Sequence, residues 1–415
     1  MKKKISILII LVLLLSVGAF FVFSNETGDK KSVVSSKVLI ENFVGMNIED
    51  VKVNAKNKGI KLKIVEEYSS SVDKDIVISQ GMKVGSKVDK ESTIKVVVSK
   101  GDVPVSLYQE NKVNELGSIP IMMYHGIVNT PSSETKYTGG NVDKDGYNRT
   151  AEAFRGDLEF YYNSGYRMIR LNDYVNGNID VELGKSPIIL TFDDGNENNF
   201  KVLGEENGEL IIDPNCAVGI LEEFKKKYPD FNVTATFFVN GGLFNQDGYN
   251  EKILKYLVDN GYDVGNHTIS HVDFTKVDFN KSVEEVGGVY KLLDGIIPDK
   301  YVKIVALPFG SPYKNSHSNY PAIMEGDYNG YKYKTISTLR VGWEADVSCF
   351  DVEFTPAFLK RIRAYDNGGK DFDIEMNFKL LESKRYISDG DANTIVVKSG
   401  DEVRVNAGEK RVRGY

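Results

Sequence analysis

The sequence predicts an α/β protein in which parallel strands alternate with crossover helices. Short apolar runs typical of buried strands recur along the chain, and stretches with helical spacing of apolar residues separate them. The strand-like runs are residues 119–124, 187–192, 235–239, 263–265 and 304–307. The helical stretches are residues 150–164, 218–227, 250–260 and 282–293. Such an alternation builds an α/β sheet or a barrel, in which chemistry collects at the carboxyl ends of the strands.

The composition of the 415-residue chain indicates roughly two or three folded domains. Hydrophobic residues make up 41% and charged residues 27%, which excludes wholesale disorder. A net charge of -7 argues against a nucleic-acid-binding protein, because such proteins usually carry a basic domain or stripe. Cys216 and Cys349 are the only 2 cysteines, so neither a disulfide scaffold nor a thiolate zinc site is expected.

The first residues predict a membrane anchor. Three lysines, Lys2 to Lys4, precede an unbroken apolar run at residues 5–23, which as a helix would measure roughly 28 Å. The alternative, a cleaved signal peptide, usually has a shorter apolar region that ends in small residues. We therefore expect a single-pass protein of the cell membrane, with a cytoplasmic N-terminus and the rest of the chain extracellular. Residues 25–36 are polar and are interpreted as a linker.

Residues 37–101 form a small α+β unit of their own. Helical spacing at residues 47–58 ends at Gly59, and alternating Ile/Val patterns at residues 61–67 and 93–99 indicate half-buried strands. The segments FVGM at 43–46, VISQ at 77–80, GSKV at 85–88 and VSKG at 98–101 resemble a PASTA domain, the module of penicillin-binding proteins and bacterial Ser/Thr kinases. The resemblance implies a peptidoglycan-facing role, as a wall-binding module or as a simple spacer. Residues 102–117 are a second linker.

An acidic pair follows the strand-like run at 187–192, in the motif TFDDG at residues 191–195. Adjacent carboxylates repel each other, so the pair makes sense where one binds a cation and the other acts as a base. The alternative is a surface turn, because Asp-Asp-Gly is ordinary turn chemistry. The buried strand before Asp193 and Asp194 favours the functional interpretation.

Two of the chain's 4 histidines, His267 and His271, lie in the motif GNHTISH at residues 265–271. Two imidazoles with one carboxylate make a plausible divalent-metal site with open positions for water and substrate. A zinc-protease helix has the same histidine spacing but needs a Glu after the first His, and here Thr268 stands there. The remaining alternative is a pair of structural histidines.

Residues 118–365 resemble the polysaccharide deacetylase family, carbohydrate esterase family 4, also called the NodB-homology domain. The motifs agree in order: PIMMYH at 120–125, the helix and turn at 154–171, TFDDG at 191–195, ATFFV at 235–239, NHTISH at 266–271 and LPFG at 307–310. The resemblance implies a distorted (β/α)7-type barrel. It also implies the removal of N- or O-acetyl groups from chitin, peptidoglycan or a related glycan.

Carried over residue by residue, the resemblance assigns Asp193 as the catalytic base. It assigns Asp194, His267 and His271 as ligands of one divalent metal ion, zinc first, with cobalt, nickel or manganese as alternatives. The segment Pro308, Phe309 and Gly310 is expected near the oxyanion, and Trp343 near the substrate.

The chain departs from the family pattern at two places. Ala306 stands where members usually carry an Arg that holds the catalytic Asp, and no His follows His317, where members carry a late general acid. Arg340 or Arg361 is a possible replacement for the Arg, and Asp346 is a possible proton donor. The loss of a general acid typically lowers the rate about 10²–10⁴-fold.

The sequence therefore predicts a metal-dependent deacetylase of a cell-wall or exported polysaccharide, whose partners are an acetylated glycan and the membrane but no nucleic acid. The alternative is a weak or inactive glycan-binding protein that keeps the deacetylase fold. Residues 366–415 are expected to be a β-rich extension of unknown role.

Overall fold

The structure is a computed structural model and describes residues 37–415. The predicted membrane anchor at residues 5–23 and the linker at 25–36 lie outside the described residues. Across residues 37–415, no helix combines enough length with enough apolar character to cross a bilayer.

The first domain is the predicted small α+β unit. Its elements are β1 (Val38–Leu39), α1 (Ile48–Lys58), β2 (Lys61–Glu67), β3 (Val77–Gln80), β4 (Lys87–Val88) and β5 (Thr93–Ser99). Helix α1 begins where the Asn47 side chain accepts the Glu49 N–H, and it ends at Gly59 in the left-handed conformation, with φ 68°. Strand β5 lies between β2 and β3 in a three-stranded sheet, against which α1 packs.

The second domain alternates strands and helices, as predicted. Its strands are β6 (Ile121–Tyr124), β7 (Ile127–Val128), β8 (Arg149–Thr150), β9 (Tyr166–Met168), β10 (Ser186–Phe192), β11 (Val202–Glu206), β12 (Glu209–Ile212), β13 (Thr236–Val239), β14 (Asp263–Asn266), β15 (Ile304–Ala306), β16 (Glu325–Tyr328), β17 (Tyr331–Lys334), β18 (Ser337–Leu339) and β19 (Ile362–Arg363). Its helices are α3 (Ala151–Asn163), α4 (Leu171–Val175), α5 (Ala217–Lys227), α6 (Asn250–Asp259), α7 (Phe279–Ile296) and α8 (Tyr320–Met324), and α2 (Val105–Asn111) precedes it.

The main sheet is parallel and curled, in the order β18-β15-β14-β13-β10-β6-β19, with β9 also paired to β10. All seven residues of β10 are buried, which places this strand in the middle of the core. At the two edges of the sheet, Arg340 N–H donates to the Leu359 carbonyl and Leu359 N–H to the Thr338 carbonyl. The sheet is thus strongly curled, and these backbone contacts link β18 at one edge to the segment just before β19 at the other.

Five tyrosines follow β15 within residues 313–333, and most of them pack against the protein. Strands β16 and β17 form a hairpin against α7, and Tyr320 and Tyr333 are buried in the same apolar cluster. Tyr313 is the exposed member of this segment, with 62% of its surface accessible. The tyrosines therefore mainly stabilise the fold.

The C-terminal extension contains one helix, α9 (Ile374–Leu381), and the parallel strands β20 (Thr394–Val397) and β21 (Arg411–Gly414). It is therefore less purely β than the sequence suggested. The buried carboxylate of Glu115, in the linker, accepts the Val396 N–H, and the Tyr415 hydroxyl donates to the Val113 carbonyl. The extension thus holds the segment that joins the two domains.

Candidate active site

The acidic pair lies at the carboxyl end of β10, the central strand. Asp193 is 1% exposed, and its N–H donates to the Tyr124 carbonyl at the end of the neighbouring β6. Asp194 has a φ of 75°, a conformation that is uncommon for residues other than glycine and clusters at functional sites. A Cβ at Gly195 would lie 2.2 Å from the Leu243 carbonyl oxygen, so only glycine fits there. The chain turns sharply here and presents both carboxylates at the same end of the sheet.

The histidine motif follows β14, two strands away, at the same end of the sheet. The Asn240 side chain donates to the carbonyl oxygens of His267 (2.7 Å) and Thr268 (3.0 Å). The fully buried Glu285 of α7 accepts the Ser270 N–H (2.8 Å) and the Ser270 hydroxyl (2.6 Å). These bonds fix a short loop, not a helix, directly after β14.

Asp194, His267 and His271 converge on one point. The Asp194 Oδ1 atom lies 3.2 Å from His267 Nε2 and 3.4 Å from His271 Nε2, and the three candidate ligand atoms lie within 4.8 Å of one another. His267 Nδ1 donates to the Ala306 carbonyl at 2.8 Å, which leaves the lone pair on Nε2. Within residues 37–415, that buried Nε2 has no hydrogen-bond partner.

The residues present therefore fit a divalent cation. An orphaned imidazole nitrogen in a buried position is costly unless a ligand occupies it. Two imidazoles and one carboxylate favour zinc or a similar first-row ion over magnesium or calcium, which prefer oxygen ligands. The backbone carbonyl that orients His267 is a typical outer partner of a metal-binding histidine.

Arg361 binds Asp193 in a bidentate ion pair. Its Nη1 and Nη2 atoms donate to Oδ1 (2.8 Å) and Oδ2 (2.7 Å), and Nε donates to the Arg340 carbonyl (2.8 Å). Arg361 is 0% exposed, and it lies where the two edges of the curled sheet meet. Burial raises the pKa of Asp193, but the charge and hydrogen bonds of Arg361 outweigh it, so the pKa lies well below its usual range. The sequence offered Arg340 and Arg361 as replacements for the Arg that family members usually carry at the position of Ala306. In the structure, Arg361 is the one whose side chain binds Asp193.

A cleft of about 320 Å³ opens over these groups. It is lined by His125, Tyr147, Asn148, Asp193, Asp194, Asn196, His267, His271, Phe309 and Val341. His125 follows the carboxyl end of β6, and its ring contacts that of Tyr147 with 4.8 Å between centroids. Sequence reasoning named His125 only as the end of a family-like strand. Its place after a buried strand, beside the strand with the acidic pair, was the signal that could have identified it.

The segment at residues 308–310 was expected near the oxyanion, and of its three residues Phe309 lines the cleft. Phe309 is 55% exposed and contacts the His271 ring edge-on, with 4.7 Å between centroids. The Gly310 N–H, however, donates to the Leu307 carbonyl at 2.8 Å and is not free to hold an oxyanion. Pro308 is buried, and its carbonyl accepts the Ser311 N–H. Trp343 is 52% exposed beside β19 and, among the described residues, is not part of the cleft wall.

The structure corrects the expectation that Asp346 donates a proton. Its carboxylate accepts the N–H groups of Val347 (2.9 Å) and Lys360 (3.0 Å), and its backbone pairs with Ile119, before the amino end of β6. His125 follows the other end of β6, six residues further on, or roughly 20 Å along an extended chain. Asp346 therefore stabilises the opposite end of the sheet.

Comparison with known proteins gives two family matches. The model of the PASTA domain matches residues 38–100, and that of the polysaccharide deacetylase family matches residues 180–321. A probable serine/threonine-protein kinase of Clostridium perfringens is 42% identical over 66 residues, which are 16% of this chain. The chain spans only 10% of the length of that relative.

Two deacetylases are among the similar solved structures. The Streptococcus pyogenes deacetylase PplD, in complex with acetate, matches 60% of this chain and 93% of its own, with 19% identity and a TM-score of 0.43. The peptidoglycan deacetylase PdaC from Bacillus subtilis matches 35% of this chain and 55% of its own, with 23% identity and a TM-score of 0.24.

The second family match spans the acidic pair, the histidine motif and the segment at residues 308–310. It supports a hydrolase of the polysaccharide deacetylase type. The resemblance stated from the sequence is thus confirmed: the chain carries a PASTA domain and a domain of the polysaccharide deacetylase family.

Proposed function

We propose that the protein is a metal-dependent hydrolase that removes acetyl groups from a cell-wall or exported polysaccharide. The observation that carries the proposal is the convergence of Asp194, His267 and His271 on one point. Asp193 is the adjacent residue, and its carboxylate accepts hydrogen bonds from the buried Arg361 side chain. The buried His267 Nε2 faces the Asp194 carboxylate at 3.2 Å without a hydrogen bond, an arrangement that supports two ligands of one cation.

The chemistry divides among a cation and the side chains around it. A divalent cation held by Asp194, His267 and His271 supplies Lewis acidity, which polarises the acetyl carbonyl and lowers the pKa of water. Asp193, kept ionised by Arg361, accepts the proton of the attacking water. The paired Arg361 bonds fix the Asp193 carboxylate in one orientation while the proton is transferred.

His125 takes the place of the late histidine that the chain lacks. It lines the same cleft as Asp193, and within residues 37–415 its Nδ1 is buried without a hydrogen-bond partner. Burial lowers the pKa of His125, so its ring is neutral at neutral pH and becomes an acid for the leaving nitrogen or oxygen once it receives the proton that Asp193 takes from the attacking water. Proton donation from this ring releases the deacetylated sugar while acetate forms from the acyl part.

The presence of Arg361 and His125 favours a catalytic function over the alternative, a protein that only binds glycan. The alternative rested on the missing Arg and the missing late His. Arg361 and His125 supply the same chemical groups from other parts of the chain.

Acetate release from acetylated glycans, with and without a chelator, tests the proposal. We expect release from at least one N- or O-acetylated polysaccharide, its loss on chelation, and its recovery when zinc is added back. Release that is insensitive to chelation contradicts the metal role. No release from any glycan by protein with one bound metal favours the binding-only alternative.

We further propose that the chain works at the outer face of the cell membrane. The apolar run at residues 5–23 supports an anchor, and the PASTA domain supports a place next to peptidoglycan. Fractionation of cells, followed by protease treatment of intact protoplasts, tests the location. Recovery in the soluble cytoplasmic fraction contradicts it.

A further inference from the structure

A second cavity lies where the catalytic domain contacts the C-terminal extension. Its volume is about 570 Å³, within the range of small-molecule sites. One wall is the end of α4 with the turn after it, the second is the segment that begins at Cys349, and the third consists of the turns before β20 and β21. We call this cavity the extension pocket.

The extension pocket is remote from the catalytic cleft. Cys349 lies shortly after Asp346, whose backbone pairs with Ile119 before the amino end of β6. The catalytic cleft lies at the carboxyl end of the same strand, where His125 follows β6. Among the described residues, none lines both cavities. A ligand of the extension pocket therefore does not contact the reacting groups.

Hydrogen bonds fix the walls of the extension pocket relative to one another. The Asn406 N–H donates to the Phe350 carbonyl (2.7 Å), which joins the third wall to the second. The Tyr174 hydroxyl of α4 donates to the Val347 carbonyl (2.6 Å), which joins the first wall to the segment before the second. Strands β20 and β21 pair with each other and hold the two turns of the third wall. Little reordering is therefore needed when a ligand binds.

Three asparagine side chains line the extension pocket without a hydrogen-bond partner. Asn178 comes from the first wall, and Asn393 and Asn406 come from the third. Within residues 37–415, their backbone groups are bonded but their carboxamides are not. Each carboxamide offers two donors and an acceptor, which match the hydroxyl and acetamido groups of a sugar. A ligand with such groups replaces the water that these carboxamides bind in the free protein.

The rest of the lining is suited to a neutral ligand. Phe350 and Phe354 contribute aromatic surface, on which the apolar face of a pyranose ring can pack. The lining includes two charged residues of opposite sign, Glu409 and Lys410, and the Lys410 ammonium group donates to the Ala392 carbonyl. Because these charges cancel, the extension pocket does not attract a polyanion such as nucleic acid or a phosphate polymer.

We propose that the extension pocket binds a neutral sugar unit of the glycan at a point far from the reaction, which gives the C-terminal extension a role in retaining the polymer. The inference rests on the proposed function for the identity of that polymer. A polymer that contacts both the cleft and the extension pocket dissociates more slowly, because its second contact is intramolecular. A short oligosaccharide occupies one site at a time and gains nothing.

Retention on an insoluble polymer, compared with turnover of a short substrate, tests the extension pocket. We suggest measuring retention of the full chain, in detergent solution and in the Asp193→Asn background, on β-1,4- and β-1,6-linked poly-N-acetylglucosamine. Asn178→Ala combined with Asn406→Ala should weaken retention on at least one polymer about tenfold, the effect of two lost hydrogen bonds. With Asp193 intact, the same double variant should keep wild-type kcat and KM for acetate release from the soluble dimer.

A matched control separates the extension pocket from general effects. Asn280 is an exposed asparagine on α7 that lines neither cavity, and Asn280→Ala should leave retention unchanged. Wild-type retention by the double variant on both polymers overturns the extension pocket, as does a loss of retention that comes with an equal rise in KM for the dimer. Retention that depends on Asn178 and Asn406, without acetate release by the wild-type protein, contradicts the proposed hydrolysis and leaves the extension pocket in place.

Discussion

Arg361 is the residue on which the position of Asp193 depends. Each guanidinium Nη atom of Arg361 bonds one carboxylate oxygen, and the whole pair is buried. A lysine keeps the charge but cannot make two parallel bonds in fixed geometry. The bidentate pair therefore serves orientation as well as charge balance.

Arg361→Lys should consequently lower kcat by about tenfold to a hundredfold, because a small misplacement of the base is costly. KM should change little, since Arg361 lies behind Asp193 and outside the cleft wall. Steady-state kinetics of acetate release measures both. Arg340→Lys is the control, because Arg340 contributes its backbone carbonyl to Arg361 and should keep near-normal kcat. Equal kcat for Arg361→Lys and wild type contradicts the orienting role.

Asp263, at the start of β14, gives a prediction for the pH dependence of stability. Burial raises its pKa to about 6, and within residues 37–415 its Oδ2 has no hydrogen-bond partner. A raised folded-state pKa means that the stability from this group is full below the unfolded pKa, near 3.8, and is lost as the pH rises through about 6.

Asp263→Asn, which is isosteric and uncharged, should match wild type in free energy of unfolding below about pH 4. Above pH 6 it should be more stable by about 2–3 kcal/mol, from a shift of roughly two pKa units. Urea unfolding at pH 4 and pH 8 measures the difference. A variant that is less stable than wild type at pH 8 shows that Arg170, 3.8 Å from Oδ1, outweighs burial.

At the scale of elements, helix α7 holds the loop that carries His271. Glu285 lies on α7 and bonds both the N–H and the hydroxyl of Ser270, directly before His271. The Glu285 backbone carbonyl also accepts the Ile269 N–H, so three hydrogen bonds join this residue of the helix to the loop. His271 has a φ of 54°, a strained conformation that such bonds help to maintain.

Glu285→Gln should lower zinc affinity about tenfold or more, the usual effect of a lost outer-shell bond. Competition with a chromogenic chelator measures the dissociation constant without reference to activity. Glu284→Gln is the matched control, because Glu284 is the adjacent residue on α7 but is half-exposed and pairs with Lys281. Equal zinc affinity in both variants contradicts a role of Glu285 in positioning His271.

The sequence predicted those site residues that adjoin one another along the chain. Asp193 and Asp194 follow a recognisable strand, and His267 and His271 share a short motif, so local pattern sufficed. Arg361 was only one of two candidates, since its contact with Asp193 spans 168 residues and depends on β6 lying between β10 and β19. Asp346 was wrong as a proton donor because no local pattern shows that its carboxylate accepts backbone N–H groups at the other end of β6.

At the scale of the whole molecule, the C-terminal extension joins the two domains. Arg411 and Arg413 of β21 pair with Asp102, and Arg413 donates to the Tyr108 hydroxyl on α2. The Asp391 carboxylate accepts the Ser70 N–H in the PASTA domain at 2.5 Å. Sequence patterns showed the strands of this extension but not what they pack against, because no local signal encodes those distant partners.

Removal of residues 411–415 should therefore loosen the linker at residues 102–117 and leave the catalytic domain folded. Hydrogen exchange should accelerate in α2 by about tenfold or more, while β10 stays protected. Val403→Ser is the control, because Val403 is 86% exposed and its change should leave exchange in α2 unaltered. Unchanged protection of α2 in the truncated chain shows that the extension does not hold the linker.

The most direct test of the whole account is acetate release by metal-loaded Asp193→Asn protein, compared with wild type at equal metal content. Both proteins should bind one equivalent of zinc, since Asp194, His267 and His271 are untouched. The variant should release acetate about 10²–10⁴-fold more slowly, the typical contribution of a general base. Release at the wild-type rate by the loaded variant, or wild-type protein that binds no metal, contradicts the account.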